Sequence, residues 1–187
     1  MNDKQRMLRH FLAALAYRTQ KALRDAPANF GDYVAAEGVR SPAWLVRHMT
    51  SVLGYSRTFF IGGSYWPDPL DSLQAEVHRF HDMLALLSGH LERGDPLRGA
   101  ITPEQLLQGP FADAMTHVGQ LAMLRRLAGS PVAPENFILA NIDPARLGPD
   151  QPAPTSPDAV WPEAPHAMLE MTKLDIAALE RARDAEA

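Results

Sequence analysis

Residues 73–91 read "LQAEVHRFHDMLALLSGHL", and in them Leu73, Val77, Phe80, Leu84, Leu87 and Leu91 recur at steps of three and four. That spacing lays one apolar stripe along an α-helix, the pattern of a helix packed against neighbours in a bundle. Three more segments repeat the pattern. The first runs from about Asp3 to Leu23, with Leu8, Phe11, Leu12 and Leu15 on one side, and "ALRDAPANFGDY" breaks it. Ser41 followed by Pro42 is an N-cap with proline at the first helical position, opening a second helix that lasts to about Phe60. Thr102-Pro103-Glu104 is another start, but Gly109-Pro110 interrupts it, so a short turn precedes a fourth helix that begins near Pro110 and is stopped by Gly129 and Pro131. The fold expected is all-α, an antiparallel four-helix bundle over residues 1–130.

From Pro131 to Pro165 the composition changes, with nine prolines and one β-prone patch, "NFILANI". Residues 131–187 read as a proline-rich arm followed by a terminal helix, from about His166 to Arg183, packed on the bundle. The arm's apolar side chains from Phe137 to Trp161 need a surface to cover them, and a homodimer is one way to supply it.

Composition removes several function classes. A length of 187 residues suits one domain of ordinary size with its own core. A net charge of −4 with scattered lysine and arginine lacks the basic face that nucleic acid requires. No apolar run approaches the roughly 20 residues that span a bilayer. The first residues, "MNDKQRMLRHFLAALAYR", lack the pattern of a secretory signal, so a cytoplasmic protein is expected. Cysteine is absent, which excludes disulfides, thiolate metal sites and a cysteine nucleophile and leaves nitrogen and oxygen to hold any metal. There is no phosphate loop or dinucleotide fingerprint: Gly62-Gly63 follows a helix rather than a strand, and Ser51 and Ser56 carry no sign of activation.

The polar residues of the fourth helix carry the chemistry. In "FADAMTHVGQLAML", residues 111–124, Asp113, His117 and Gln120 share one side. A second face is apolar, with Phe111, Ala114, Met115, Val118, Leu121 and Ala122, while Thr116, Gly119 and Arg126 face solvent. On the second helix His48 lies in line with Trp44, Val52, Tyr55 and Phe59. Two imidazoles and a carboxylate are costly to bury unless paired, and a divalent cation satisfies all three. His48, Asp113 and His117 are therefore the expected ligands of a zinc, nickel, iron or manganese ion, with Gln120 bracing His117. Asp113 at a helix start is also what the helix dipole favours with no metal at all.

"PAWLVRHM", "HVGQLAMLRRLAG" and the order of four helices with a long connection resemble the DinB-like superfamily, also described as DinB/YfiT-like metalloenzymes, over about Leu8 to Gly129. In that family a second-helix histidine and two groups one turn apart on the fourth bind a divalent metal, in the pattern His-x-x-x-His-x-Gly-Gln. This chain keeps His48, His117 and Gly119-Gln120 and has Asp113 in place of the earlier histidine. The resemblance implies metal-dependent transfer of a low-molecular-weight thiol to a small electrophile, with hydrolysis as another chemistry on the same ligands. A non-catalytic, stress-associated or ligand-binding bundle is the alternative. The long links between the second and third and between the third and fourth helices are expected to rim the site, Trp66 and Pro67 walling a pocket. His78 and His81 flank the leucine stripe and read as surface residues, His10 is a spare candidate, and His90 and His166 sit near helix ends. Met115, Met123, Met168 and Met171 read as core fillers, and Arg125 and Arg126 as outward-facing.

Overall fold

A computed structural model describes residues 1–154. Helix α1 spans Asp3–Leu23, capped by Asn2 and Gln5 in a reciprocal box. Helix α2, Pro42–Ile61, starts at the Ser41 cap with proline in its first turn. Helix α3, Leu73–Arg93, is capped by Ser72 and ends on Gly94 at φ 71°. The short α4, Pro103–Leu106, runs through a π-turn at Leu107–Phe111 into α5, Ala112–Leu127. Gly109 holds φ −94° and ψ −106° there, and Pro110, without an amide proton, follows it, so the chain re-aims just before the polar residues of α5. Among the described residues there is no β-strand, and no helix is long and apolar enough to cross a membrane.

The stripes meet around one core. Leu8, Leu12 and Leu15 of α1, Phe80, Leu84, Leu87 and Leu91 of α3, and Phe111, Ala114, Val118 and Leu121 of α5 are all buried in it. Helix α2 differs from the sequence reading: its buried line is Leu45, Val46, Met49, Leu53 and Phe60, while Tyr55 is exposed and Trp44, Val52 and Phe59 are half-buried. His48 thus lies at the edge of the core rather than within it. Met123, expected inside, is exposed as well.

Helices α1 and α2 each pack against both α3 and α5. Arg9 of α1 bonds Ser88 and pairs with Glu92 near the end of α3, each at 3.0 Å, so these two helices run in opposite senses. Phe60 stacks on His90 at 5.0 Å between centroids, which places the C-terminal ends of α2 and α3 together and makes that pair run in the same sense. The link from Gly62 to Ser72 must therefore carry the chain back along α2. Tyr65 packs so closely on Gly54 that a Cβ there would lie 2.0 Å from Tyr65 Cδ1. Further on, Leu70 N–H donates to Glu76 Oε1 at 2.8 Å and Arg79 Nη1 donates to the Asp68 carbonyl at 2.8 Å, fixing the link to α3.

Arg125, expected to face outward, is only 4% exposed. Its guanidinium donates to the carbonyls of Ala22 at 3.1 Å and Arg24 at 2.8 Å, and to Ser130 O and Oγ, both at 2.9 Å. These carbonyls are what the end of α1 leaves unpaired, and a cation suits them.

Residues Met1–Val132 and Ile142–Ala153 form one compact unit, and Ala133–Asn141 with Pro154 belongs to a second. Within the first unit, Leu147 packs against the core and accepts a bond from His81 Nδ1 at 2.6 Å, and Arg24 Nη2 donates to the Gln151 and Pro152 carbonyls at 2.8 and 2.9 Å. His81, read from sequence as a surface residue, is thereby buried at 3% exposure. In the second unit the β-prone patch forms a 3-10 turn at Phe137–Leu139, with the Asn136 side chain capping Ile138. Trp161 and the expected terminal helix, with His166, Met168 and Met171, lie outside the described residues.

Candidate metal centre

His48 comes from α2, and Asp113 and His117 from successive turns of α5, where a spacing of four brings them to one face. Asp113 stands between the two rings: its Oδ1 lies 3.4 Å from His117 Nε2 and its Oδ2 lies 3.7 Å from His48 Nε2. The rings meet edge to face, 4.8 Å between centroids at 81°. One ligand atom from each residue lies within 4.8 Å of the other two, so the three could hold a metal ion. A tetrahedral ion with ligands at about 2.0–2.2 Å spaces its donors roughly 3.3–3.6 Å apart. The 3.4 Å contact of Asp113 with His117 lies in that range, the 3.7 Å contact with His48 lies just beyond it, and a small inward movement of the imidazoles would complete the set.

The proton positions suit that role. His117 Nδ1 lies 2.8 Å from Gln120 Oε1, and because an amide oxygen only accepts, Nδ1 carries the hydrogen, which in the neutral ring leaves the lone pair on Nε2. Nε2 is buried and makes no hydrogen bond. An imine lone pair facing a carboxylate with nothing to bridge them is an unfavourable arrangement that a cation would relieve. Gln120 is the brace the sequence suggested. His48 is held neutral: burial, then the neighbouring His117, push its pKa below 6.5, against a smaller opposing pull from Asp113. Its ring stacks on Trp44 at 5.2 Å and 24°.

Access is open on two sides. A cavity of about 440 Å³ is lined by Trp44, Arg47, His48, Trp66 and Pro67, so the α2–α3 link does wall the site. A second, of about 570 Å³, is bounded by Val52, Tyr55, Pro110 and Asp113. Of the link between α3 and α5, Gln108 and Gly109 line the second cavity, whereas its first part, residues 94–102, lines neither. Arg98 ties it to the far end of α2, bonding the carbonyls of Phe59 at 2.7 Å and Phe60 at 2.9 Å. The sequence reading did not single out Arg40 or Arg47, whose guanidinium carbons lie 4.0 and 5.8 Å from the Trp44 ring centroid. Their positions four residues before and three after the tryptophan were the only available signal.

The other histidines among the described residues stay apart from the cluster. His10 and His78 are exposed, and His78 pairs with Asp82 at 3.6 Å. His90 bonds Asp95 at 2.7 Å at the end of α3. Comparison with known proteins adds no relative: no family model, no curated protein and no solved structure matches the chain.

Proposed function

We propose that the chain is a DinB-like four-helix bundle that binds one divalent cation through His48, Asp113 and His117 and acts as a metalloenzyme on a small molecule. The observation carrying this reading is the buried, unbonded Nε2 of His117, aimed with His48 Nε2 at a single carboxylate. Zinc, nickel, iron and manganese all accept two imidazoles and a carboxylate, and three protein ligands leave positions open for substrate, as catalytic sites do. A cation held there supplies Lewis acidity toward a carbonyl oxygen and lowers the pKa of a thiol or a water. The chain's own residues position it: Gln120 fixes the His117 tautomer, and Trp44 fixes the plane of His48. With no cysteine in the sequence, a thiol would enter as substrate, which supports transfer of a low-molecular-weight thiol to an electrophile, with hydrolysis as the other chemistry of the site.

A second reading, a non-catalytic bundle, is favoured by one observation. The Asp113 side chain is 47% exposed in the first turn of α5, where its charge complements the helix dipole without any ion. Metal analysis of untagged protein separates the two. The metalloenzyme reading expects about one transition-metal ion per chain, lost in His48→Ala and in His117→Ala and kept in His78→Ala. Metal-free wild-type protein that also fails to take up added zinc, nickel, iron or manganese would overturn it. If Asp113→Ala retains the metal, Asp113 is a helix-start acid and not a ligand. A screen for thiol adducts of small electrophiles then tests catalysis.

A further inference from the structure

The two guanidinium groups on Trp44 have no carboxylate partner among the described residues, although the chain as a whole is acidic. Arg40 lies 4.0 Å and Arg47 5.8 Å from the ring centroid, and the His48 ring stacks on the same indole. Beside them, Trp66 is 85% exposed and forms a wall of the 440 Å³ cavity together with Trp44 and Pro67. The backbone around it is anchored, with Tyr65 against Gly54 and the Asp68 carbonyl bonded by Arg79, so its place at the cavity mouth is set by the link. A cavity of this size lies within the usual range of about 300–1,000 Å³ for small-molecule sites. Indole and proline faces suit a flat, π-rich body, and an unpaired guanidinium presents the planar fork that a carboxylate matches with two bonds.

We infer that this cavity binds a small planar carboxylate, its conjugated body between Trp44 and Trp66 and its anionic end on Arg47, with Arg40 adding positive charge from the adjoining side. This names the substrate class for the centre at His48, Asp113 and His117, and it rests on the metalloenzyme reading for the chemistry but not for the binding. The ligand would lie against His48, which places a group attached to its conjugated body next to the metal ligands.

Calorimetric titration of the full chain with 2-naphthoate and with the neutral 2-naphthalenemethanol tests it, both as purified and after chelation. Wild type should bind the carboxylate at least about tenfold more tightly than the alcohol, the effect of one charge-assisted pair. Arg47→Ala should remove that preference, and Trp66→Ala should weaken both ligands by about three- to tenfold, the effect of one lost stacking face. Both side chains lie away from the core, so the variants keep the fold, which circular dichroism checks. Equal affinity for the two ligands, or a preference that survives in Arg47→Ala, would overturn the inference. So would a preference that chelation abolishes, since the carboxylate would then be bound by the cation alone. A preference that depends on Arg47 in protein that never takes up metal upholds the inference and defeats the metal reading. Stoichiometric metal with no preference for the carboxylate does the reverse.

Discussion

Gln120→Ala tests the centre without touching a ligand. In the native chain Gln120 Oε1 accepts the Nδ1 hydrogen of His117 at 2.8 Å, which leaves the Nε2 lone pair facing Asp113 and His48. Removing the amide frees the ring to move its proton to Nε2, where Asp113 Oδ1 at 3.4 Å can accept it, and that proton closes the donor a cation needs. Loss of such an orienting partner costs about 10–100-fold in metal affinity, or about 1.4–2.7 kcal/mol. Gln120 is itself exposed, so the metal-free variant should unfold within about 0.5 kcal/mol of wild type. A competition titration against a chromophoric chelator reads the affinity, and the metal-induced rise in melting temperature should shrink in parallel. Gln120→Glu, which accepts the same hydrogen and makes the ring more basic, should restore binding. An affinity in Gln120→Ala within twofold of wild type would refute the argument, because the His117 tautomer would then not matter to the site.

Arg125→Met should destabilise the chain by about 3–5 kcal/mol, since it strips a charged donor from the buried carbonyls that end α1, and a urea midpoint that barely moves would show those carbonyls to be paired otherwise. Gly54→Ala should cost about 1–3 kcal/mol through the clash with the Tyr65 ring, and unchanged stability would mean that the link gives way freely. His81 carries a pH dependence. Burial lowers its folded-state pKa below the 6.5 of the unfolded chain, against smaller opposing effects of its bond to Leu147 and of Asp82. The unfolded state therefore binds the proton first, and stability present above pH 6.5 is lost as pH falls through that value, with a slope of at most about 1.4 kcal/mol per pH unit. His81→Gln should flatten the fall in urea stability between pH 7.5 and 5.5, leaving a smaller part from His48, and an unaltered profile would remove His81 as its source.

The helices were legible because each is a local matter. A 3.6-residue period, a Ser41-Pro42 start and a Gly94 or Gly129 stop act within one or two turns of chain, and the structure places α1, α2, α3 and α5 where those signals lie. Asp113, His117 and Gln120 were readable in the same way, as neighbours on one helix. Arg125 and Arg126 have the same chemistry and adjacent positions, yet one is buried and the other exposed, because the carbonyls at the end of α1 meet only the first. His81 flanks the α3 stripe as its period requires, and becomes buried because Leu147, distant in sequence, accepts its Nδ1 hydrogen.

The sequence by itself determined which residues form helices, which faces are apolar and which side chains could serve as ligands. Tertiary structure alone decided that α2 and α3 run in the same sense, that His81 and Arg125 are buried, and how closely His48 approaches Asp113 from another helix. The physical reason is one of range. Periodicity and capping are satisfied by residues a few positions apart, whereas the pairing of two faces depends on packing and on unmet hydrogen bonds contributed by segments far apart in the chain.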